Sequence, residues 1–188
     1  MGISIVRFQK NKQAAPSWGV LKEELIYELS WQEPELEQVI KKLVPPFNNI
    51  INNAKKSGLT MSQVRVLSPL TPNSQLLCQG LNYADHVAEA GIKSRPPGAS
   101  ENSLFLKSSA SLTGAYENIV RPQECQLLDY EIELGLVIKK NISSAVSIDQ
   151  SNLKDYVAGF IICNDVSSRD VQMGAPAMQW FQGKSYRS

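Results

Sequence analysis

The sequence predicts an α+β fold that is mainly β, with a small N-terminal α+β domain over residues 1–68 and a β-rich domain over residues 69–188. Three observations predict it. Strand-length apolar runs dominate beyond residue 68, helical spacing of apolar residues is confined to a short stretch before it, and no regular strand–helix alternation marks a doubly wound parallel sheet.

Short strands are expected around Ile3–Phe8, Trp18–Leu21 and Leu25–Leu29. Leu36, Val39, Ile40 and Leu43 then fall at i, i+3, i+4, i+7, and after Pro45-Pro46 the same spacing returns in Phe47, Ile50, Ile51 and Ala54, so two short amphipathic helices follow. Ser57-Gly58 reads as a helix stop and Val64–Leu67 as a strand; Pro69 and Pro72 place the domain boundary near residue 68. Further strands are expected at Leu76–Cys78, Leu104–Lys107, Ile119–Arg121, Tyr130–Ile138 and Val157–Cys163, separated by loops rich in Ser, Pro and Gly. There is no internal repeat.

Composition narrows the function classes. With 19 Lys and Arg against 18 Asp and Glu, the chain has no global field for nucleic acid and no acidic tail for a basic partner. The three cysteines, Cys78, Cys125 and Cys163, are widely spaced without a CxxC pair, which suits reduced thiols better than a disulfide framework or a zinc cage. The N-terminus lacks the core and cleavage site of a signal peptide, and the longest apolar run, Val157 to Cys163, is far short of the roughly 20 residues a membrane span needs. A cytoplasmic protein without a membrane partner is expected. Asn141-Ile142-Ser143 is a chance sequon on that reading. No Gly-rich phosphate loop points to a nucleotide.

In Tyr130–Ile138 the period of two puts Ile132, Leu134, Leu136 and Ile138 on one face, the expected core face, and Glu131 and Glu133 on the other. Two confined carboxylates repel unless a cation joins them, and a hard divalent ion fits oxygen ligands; a half-buried strand with a solvated acidic face suits the same pattern. Asp165 follows the uninterrupted run Val157–Cys163, at a strand end where it can add a third carboxylate, or where Asp165 or Ser167 caps the next helix. Arg169 and Gln172, three apart, share a helical face from which a guanidinium fork and an amide reach one ligand, or they are solvated surface. His86, the only histidine, has Glu89 at i+3, a neighbour that raises imidazole basicity and orients it as a general base. Lys107 and Lys184 are individually ordinary.

Together the segments GLNYADHVAEAG, FLK, DYEIELGLVI, GFIICNDVSSRDVQ and GKSY resemble, in the same order, the fumarylacetoacetate hydrolase family from Gln75 to Tyr186. The resemblance implies a mixed β-sandwich roll carrying Mg2+, or Mn2+ or Ca2+, on Glu131, Glu133 and Asp165. It implies His86 with Glu89 as an acid–base dyad on a lid, Lys184 as a catalytic residue, and Lys107, Arg169 and Gln172 as groups that bind a small oxo-acid or stabilise its enolate. Hydrolysis or decarboxylation of an acylpyruvate-like or oxaloacetate-like acid is the expected chemistry, with isomerisation or hydration as the alternative within the family. A homodimer is also implied. Members of the family continue past the GKSY motif and carry aspartate where this chain has Arg187. The roll is therefore expected to be incomplete at its C-terminus, and a truncated, non-catalytic binding or dimerisation module is the competing expectation.

Overall fold

The computed structural model describes residues 2–80, 82, 103–174 and 178–187. His86 and Glu89, the expected dyad, lie outside the described residues.

The strands β1 (Ser4–Gln9), β2 (Ser17–Lys22) and β3 (Leu25–Glu28) build an antiparallel sheet completed by β4 (Lys55–Thr60) and β5 (Arg65–Leu67) in the order β4-β3-β2-β1-β5. Val6 and Phe8 point to one face with Ile26 and Val66, covered in part by Met61 and Val64. The opposite face gathers Trp18, Val20 and Leu29 beneath Val39 of α1 (Leu36–Lys42), with Ile50 and Ile51 of α2 (Asn48–Asn53) at its side. Each fully buried apolar side chain of this kind contributes about 1.5–3 kcal/mol, which fixes the helices on that face. Trp18 is buried without loss because its indole N–H donates to the Glu33 carbonyl at 2.8 Å.

Ser57-Gly58 is not a helix stop. Both residues lie in β4, where Gly58 takes φ 73°, a left-handed conformation glycine adopts at no steric cost, and the Ser57 hydroxyl donates to the Ile26 carbonyl of β3 at 2.7 Å.

The second half is a set of open antiparallel pairs. β6 (Leu76–Gly80) pairs with β7 (Ser103–Lys107), β9 (Ile132–Ile138) with β10 (Val157–Asn164), and the two-residue β8 (Leu128–Asp129) with β11 (Ser167–Ser168). The segment Ile119–Arg121 forms no strand despite its β-branched residues, and among the described residues no strand pairs with it. Arg65 of β5 and Glu117 form an ion pair that links this half to the first sheet, and the Arg7 guanidinium adds a bond to the Ser68 carbonyl at 3.3 Å.

One sequence expectation fails in an informative way. Ile132, Leu134, Leu136 and Ile138 do share a face, but that face is exposed: Ile132 is 64% and, across the ladder, Ile162 is 83% accessible. Alternation tells which face is apolar but not whether a second layer covers it, and none does among the described residues. Leu77, Leu104 and Leu106 of β6 and β7 are exposed as well.

Candidate active site

The ladder formed by residues 128–138 and 157–168 is interrupted between its two pairs of strands. Tyr130 and Glu131 on one side, Asp165 and Val166 on the other, fall in the gap. There the backbone turns without losing its bonds: the Asp165 N–H donates to the Glu131 carbonyl at 2.8 Å, and the Asn164 side-chain oxygen accepts from the Glu131 N–H at 3.2 Å. Those two contacts bring the carboxylates of Glu131 and Asp165 to one spot.

Three cationic side chains converge on them. Lys184 is 2% exposed and its Nζ donates to Glu131 Oε2 at 2.9 Å, Asp165 Oδ2 at 2.8 Å and Ser167 Oγ at 2.8 Å. Lys107, at the end of β7, pairs with Asp165 Oδ1 and donates to the Val166 carbonyl at 3.2 Å. Arg169 pairs with Glu131 Oε1 at 2.6 Å and with Asp129 Oδ2 at 3.0 Å, and its Nη1 donates to Gln172 Oε1 at 3.0 Å. Six of the nine expected site residues thus form one connected cluster: Glu131, Asp165, Lys107, Lys184, Arg169 and Gln172. Glu133 is half-buried on the same face, opposite Cys163 in the ladder, and His86 and Glu89 are outside the described residues.

Sequence reasoning missed Asp129 and took Ser167 only as a candidate helix cap; the two are cross-strand partners in β8 and β11. Asp129 holds Arg169, and the Ser167 hydroxyl, fully buried, lies between Glu131, Lys184 and the Asp165 carbonyl. The signal was available: Asp129 precedes Glu131 by two and Ser167 follows Asp165 by two, so the strand period places each beside a residue already singled out.

Lys184 is delivered by the turn Trp180–Gly183, which packs on the turn Arg169–Gln172. The contact is so close that a Cβ on Gly183 would stand 2.6 Å from the Gln172 amide nitrogen and 2.7 Å from its Cα. Trp180 packs against Phe105 of β7 in a tilted ring contact, centroids 5.3 Å apart and planes at 59°, and Ser185 Oγ accepts from the Ser108 N–H at 2.9 Å, so the lysine is held from both sides.

Asp170, next to Arg169 in the chain, ties this turn to the segment Cys125–Leu127. Its carboxylate accepts from the Gln126 N–H at 2.8 Å, the Ser168 hydroxyl at 2.8 Å and the Leu127 N–H at 3.3 Å, and these donors, the Gln126 amide foremost, hold its pKa down to about 2 from the ordinary 3.8. A carboxyl whose folded pKa is depressed stabilises the fold above its unfolded value and loses that contribution as pH falls through the folded one. Asp170→Asn is therefore expected to lower the urea midpoint at neutral pH and to flatten its dependence between about pH 4 and about pH 2. Equal pH profiles for the variant and the parent would remove this role.

Two thiols border the cluster. Burial, with Asp165 nearby, pushes Cys78 up to about 11, and burial with Glu133 and Asp165 raises Cys163, so both stay protonated and are poor nucleophiles at neutral pH. Among the described residues, the charged groups at this site are carboxylates, ammoniums and a guanidinium. The donor set is hard oxygen, suited to Mg2+, Mn2+ or Ca2+. Two carboxylates converge, while no group of three or more His, Cys, Asp or Glu side chains closes around one point among the described residues.

A family model described as fumarylacetoacetate (FAA) hydrolase, C-terminal, matches residues 75–188. Among curated relatives, oxaloacetate tautomerase FAHD2A, mitochondrial, of Bos taurus is 31% identical over 97% of this chain and 58% of its own length. The protein of the same description from Rattus norvegicus is 39% identical over 66% of this chain and 37% of its own length. Among solved structures, a fumarylacetoacetate hydrolase from the psychrophile Exiguobacterium antarcticum superposes with a TM-score of 0.73 at 29% identity, covering 99% of this chain and 63% of that one. A probable 2-hydroxyhepta-2,4-diene-1,7-dioate isomerase from Mycobacterium abscessus, 24% identical with a TM-score of 0.71 over 98% of this chain and 60% of that one, shares the fold. The chain spans less than two thirds of the length of each of these proteins.

Proposed function

The chain belongs to the fumarylacetoacetate hydrolase family, and from that premise we propose that it holds a hard divalent ion, Mg2+ with Mn2+ or Ca2+ as substitutes, and acts on a small 2-oxo or diketo acid through an enolate. The observation that carries the reading is the meeting of Glu131 and Asp165 at the ladder gap, where buried oxygen donors and three cationic groups share one spot. Glu131, Asp165 and the neighbouring Glu133 would hold the ion. When bound, it supplies Lewis acidity that draws electrons toward the oxygen of a 2-oxo-carboxylate.

The protein's own groups supply the rest. Lys107 and Arg169 offer cationic hydrogen-bond donors at the rim of the cluster, suited to a substrate carboxylate and to charge that gathers on an enolate oxygen. Gln172, 3% exposed, fixes the guanidinium by accepting from it. His86 with Glu89 is the acid–base pair in this reading, moving a proton to or from the substrate carbon or drawing one from water.

Hydrolysis or decarboxylation generates the enolate by breaking a carbon–carbon bond and then protonates it; isomerisation generates it by removing a proton and returns a proton at another atom. The second outcome is favoured by the relatives from Bos taurus and Rattus norvegicus, both described as oxaloacetate tautomerases. The test is to follow enol absorbance of oxaloacetate and of an acylpyruvate with Mg2+ or Mn2+ present, and to analyse the products. Turnover of either acid, reduced at least about a hundredfold in Glu131→Ala, is expected. No turnover of either acid with any of the three ions would overturn the enzymatic reading.

A further inference from the structure

We infer that Lys184, with Lys107 beside it, is the resident counter-cation of the Glu131 and Asp165 carboxylates, so that a divalent ion enters this site against ammonium groups and its affinity is set by them. The inference rests on the metal-site reading above and deepens it.

A lysine ammonium has three hydrogens to donate. Lys184 places all three, on Glu131 Oε2 at 2.9 Å, Asp165 Oδ2 at 2.8 Å and Ser167 Oγ at 2.8 Å, and its Nζ lies 5.0 Å from the centroid of the Phe105 ring. At 2% exposure it has no water to turn to, and contact with a substrate oxygen requires one of these bonds to open. The other carboxylate oxygens are also taken: Asp165 Oδ1 by Lys107, and Glu131 Oε1 by Arg169 at 2.6 Å. Each of the four oxygens therefore already bears a cationic partner.

An ion held by these oxygens would share them with the Lys184 ammonium, which lies 2.8–2.9 Å from two of them. At such separations and the effective dielectric of a partly buried site, repulsion between a divalent and a monovalent cation weakens binding by orders of magnitude, and relaxation of the flexible lysine recovers only part of it. Removing the ammonium charge should tighten metal binding. If the lysines served only to hold the carboxylates in place, their removal would let Glu131 and Asp165 move apart and binding would weaken. The sign of the change separates the two roles.

The experiment is calorimetric titration of Mn2+ into the full chain and into Lys184→Met, Lys184→Arg and Lys107→Met, with thermal unfolding recorded with and without the ion. Lys184→Met is expected to bind at least about tenfold tighter, Lys107→Met at least about threefold tighter, and Lys184→Arg, which keeps the charge, no tighter than the parent. Without metal, Lys184→Met should melt below the parent and regain more of its stability on adding Mn2+ than the parent gains. Lys107 is at the rim, and its loss leaves Lys184 between the two acids, so Lys107→Met decides the matter if Lys184→Met does not fold. Unchanged or weaker binding by the folded variants, with saturable binding by the parent, overturns the counter-cation role and leaves the metal site standing. Binding by Lys184→Met alone supports it. The absence of binding in all four proteins overturns both.

Discussion

Asp165→Ala is expected to destabilise the folded chain by about 3–5 kcal/mol, the cost of leaving a buried charge without its partner. Asp165 is 8% exposed and receives both lysines, so its removal leaves the ammonium of Lys184 with Glu131 and Ser167 alone and that of Lys107 with a single carbonyl. Such a loss is a large share of the roughly 5–15 kcal/mol that holds a typical domain together. Urea unfolding of parent and variant measures it. Asp165→Asn, which keeps the shape and loses the charge, should fall between the two. A change below about 0.5 kcal/mol in Asp165→Ala, the range of an ordinary surface substitution, would mean that the charge cluster is not the keystone of this half of the molecule.

Gly183→Ala is expected to cost about 1–3 kcal/mol and to disturb the site out of proportion to one added methyl. The new Cβ meets the Gln172 backbone at 2.6 to 2.7 Å, and main-chain atoms cannot swing aside as the tip of a flexible side chain can. The turn Trp180–Gly183 has to lift away from Arg169–Gln172, and it carries Lys184, the next residue, with it. Gly159→Ala is the control, since a Cβ there meets nothing within 4 Å. Urea midpoints that fall for Gly183→Ala and hold for Gly159→Ala are the expected result. Equal midpoints would show that the two turns are loosely packed.

Much of this was legible in the residues. Alternation located β9, an uninterrupted apolar run located β10, and the spacing of Leu36, Val39, Ile40 and Leu43 located α1, because local patterns report the type of an element and which of its faces is apolar. The acids were legible for a similar reason: Glu131 and Asp165 stand out against apolar runs.

What stayed hidden depended on contacts between distant segments. Nothing local announces that the ladder breaks at Tyr130-Glu131 and Asp165-Val166, yet that gap is what joins the two carboxylates. Lys184 looks like any lysine after a glycine; its burial arises from Gly183 seated on Gln172, and from Trp180 and Ser185 anchored on Phe105 and Ser108. Nothing in the sequence singles out Asp170, whose carboxylate is bonded to two backbone amides. The exposed stripe from Ile132 to Ile138 is the clearest limit of pattern reading, since a period of two is the same whether or not another layer lies above it.

The most direct test of the site is calorimetric titration of Mg2+ into the purified chain, set beside Glu131→Ala and Asp165→Ala whose folding is first checked by circular dichroism. Saturable binding by the parent, lost in both folded variants, is the expected result. A folded parent that binds no divalent ion, or binding that survives both substitutions, would contradict a metal-holding site built on Glu131 and Asp165.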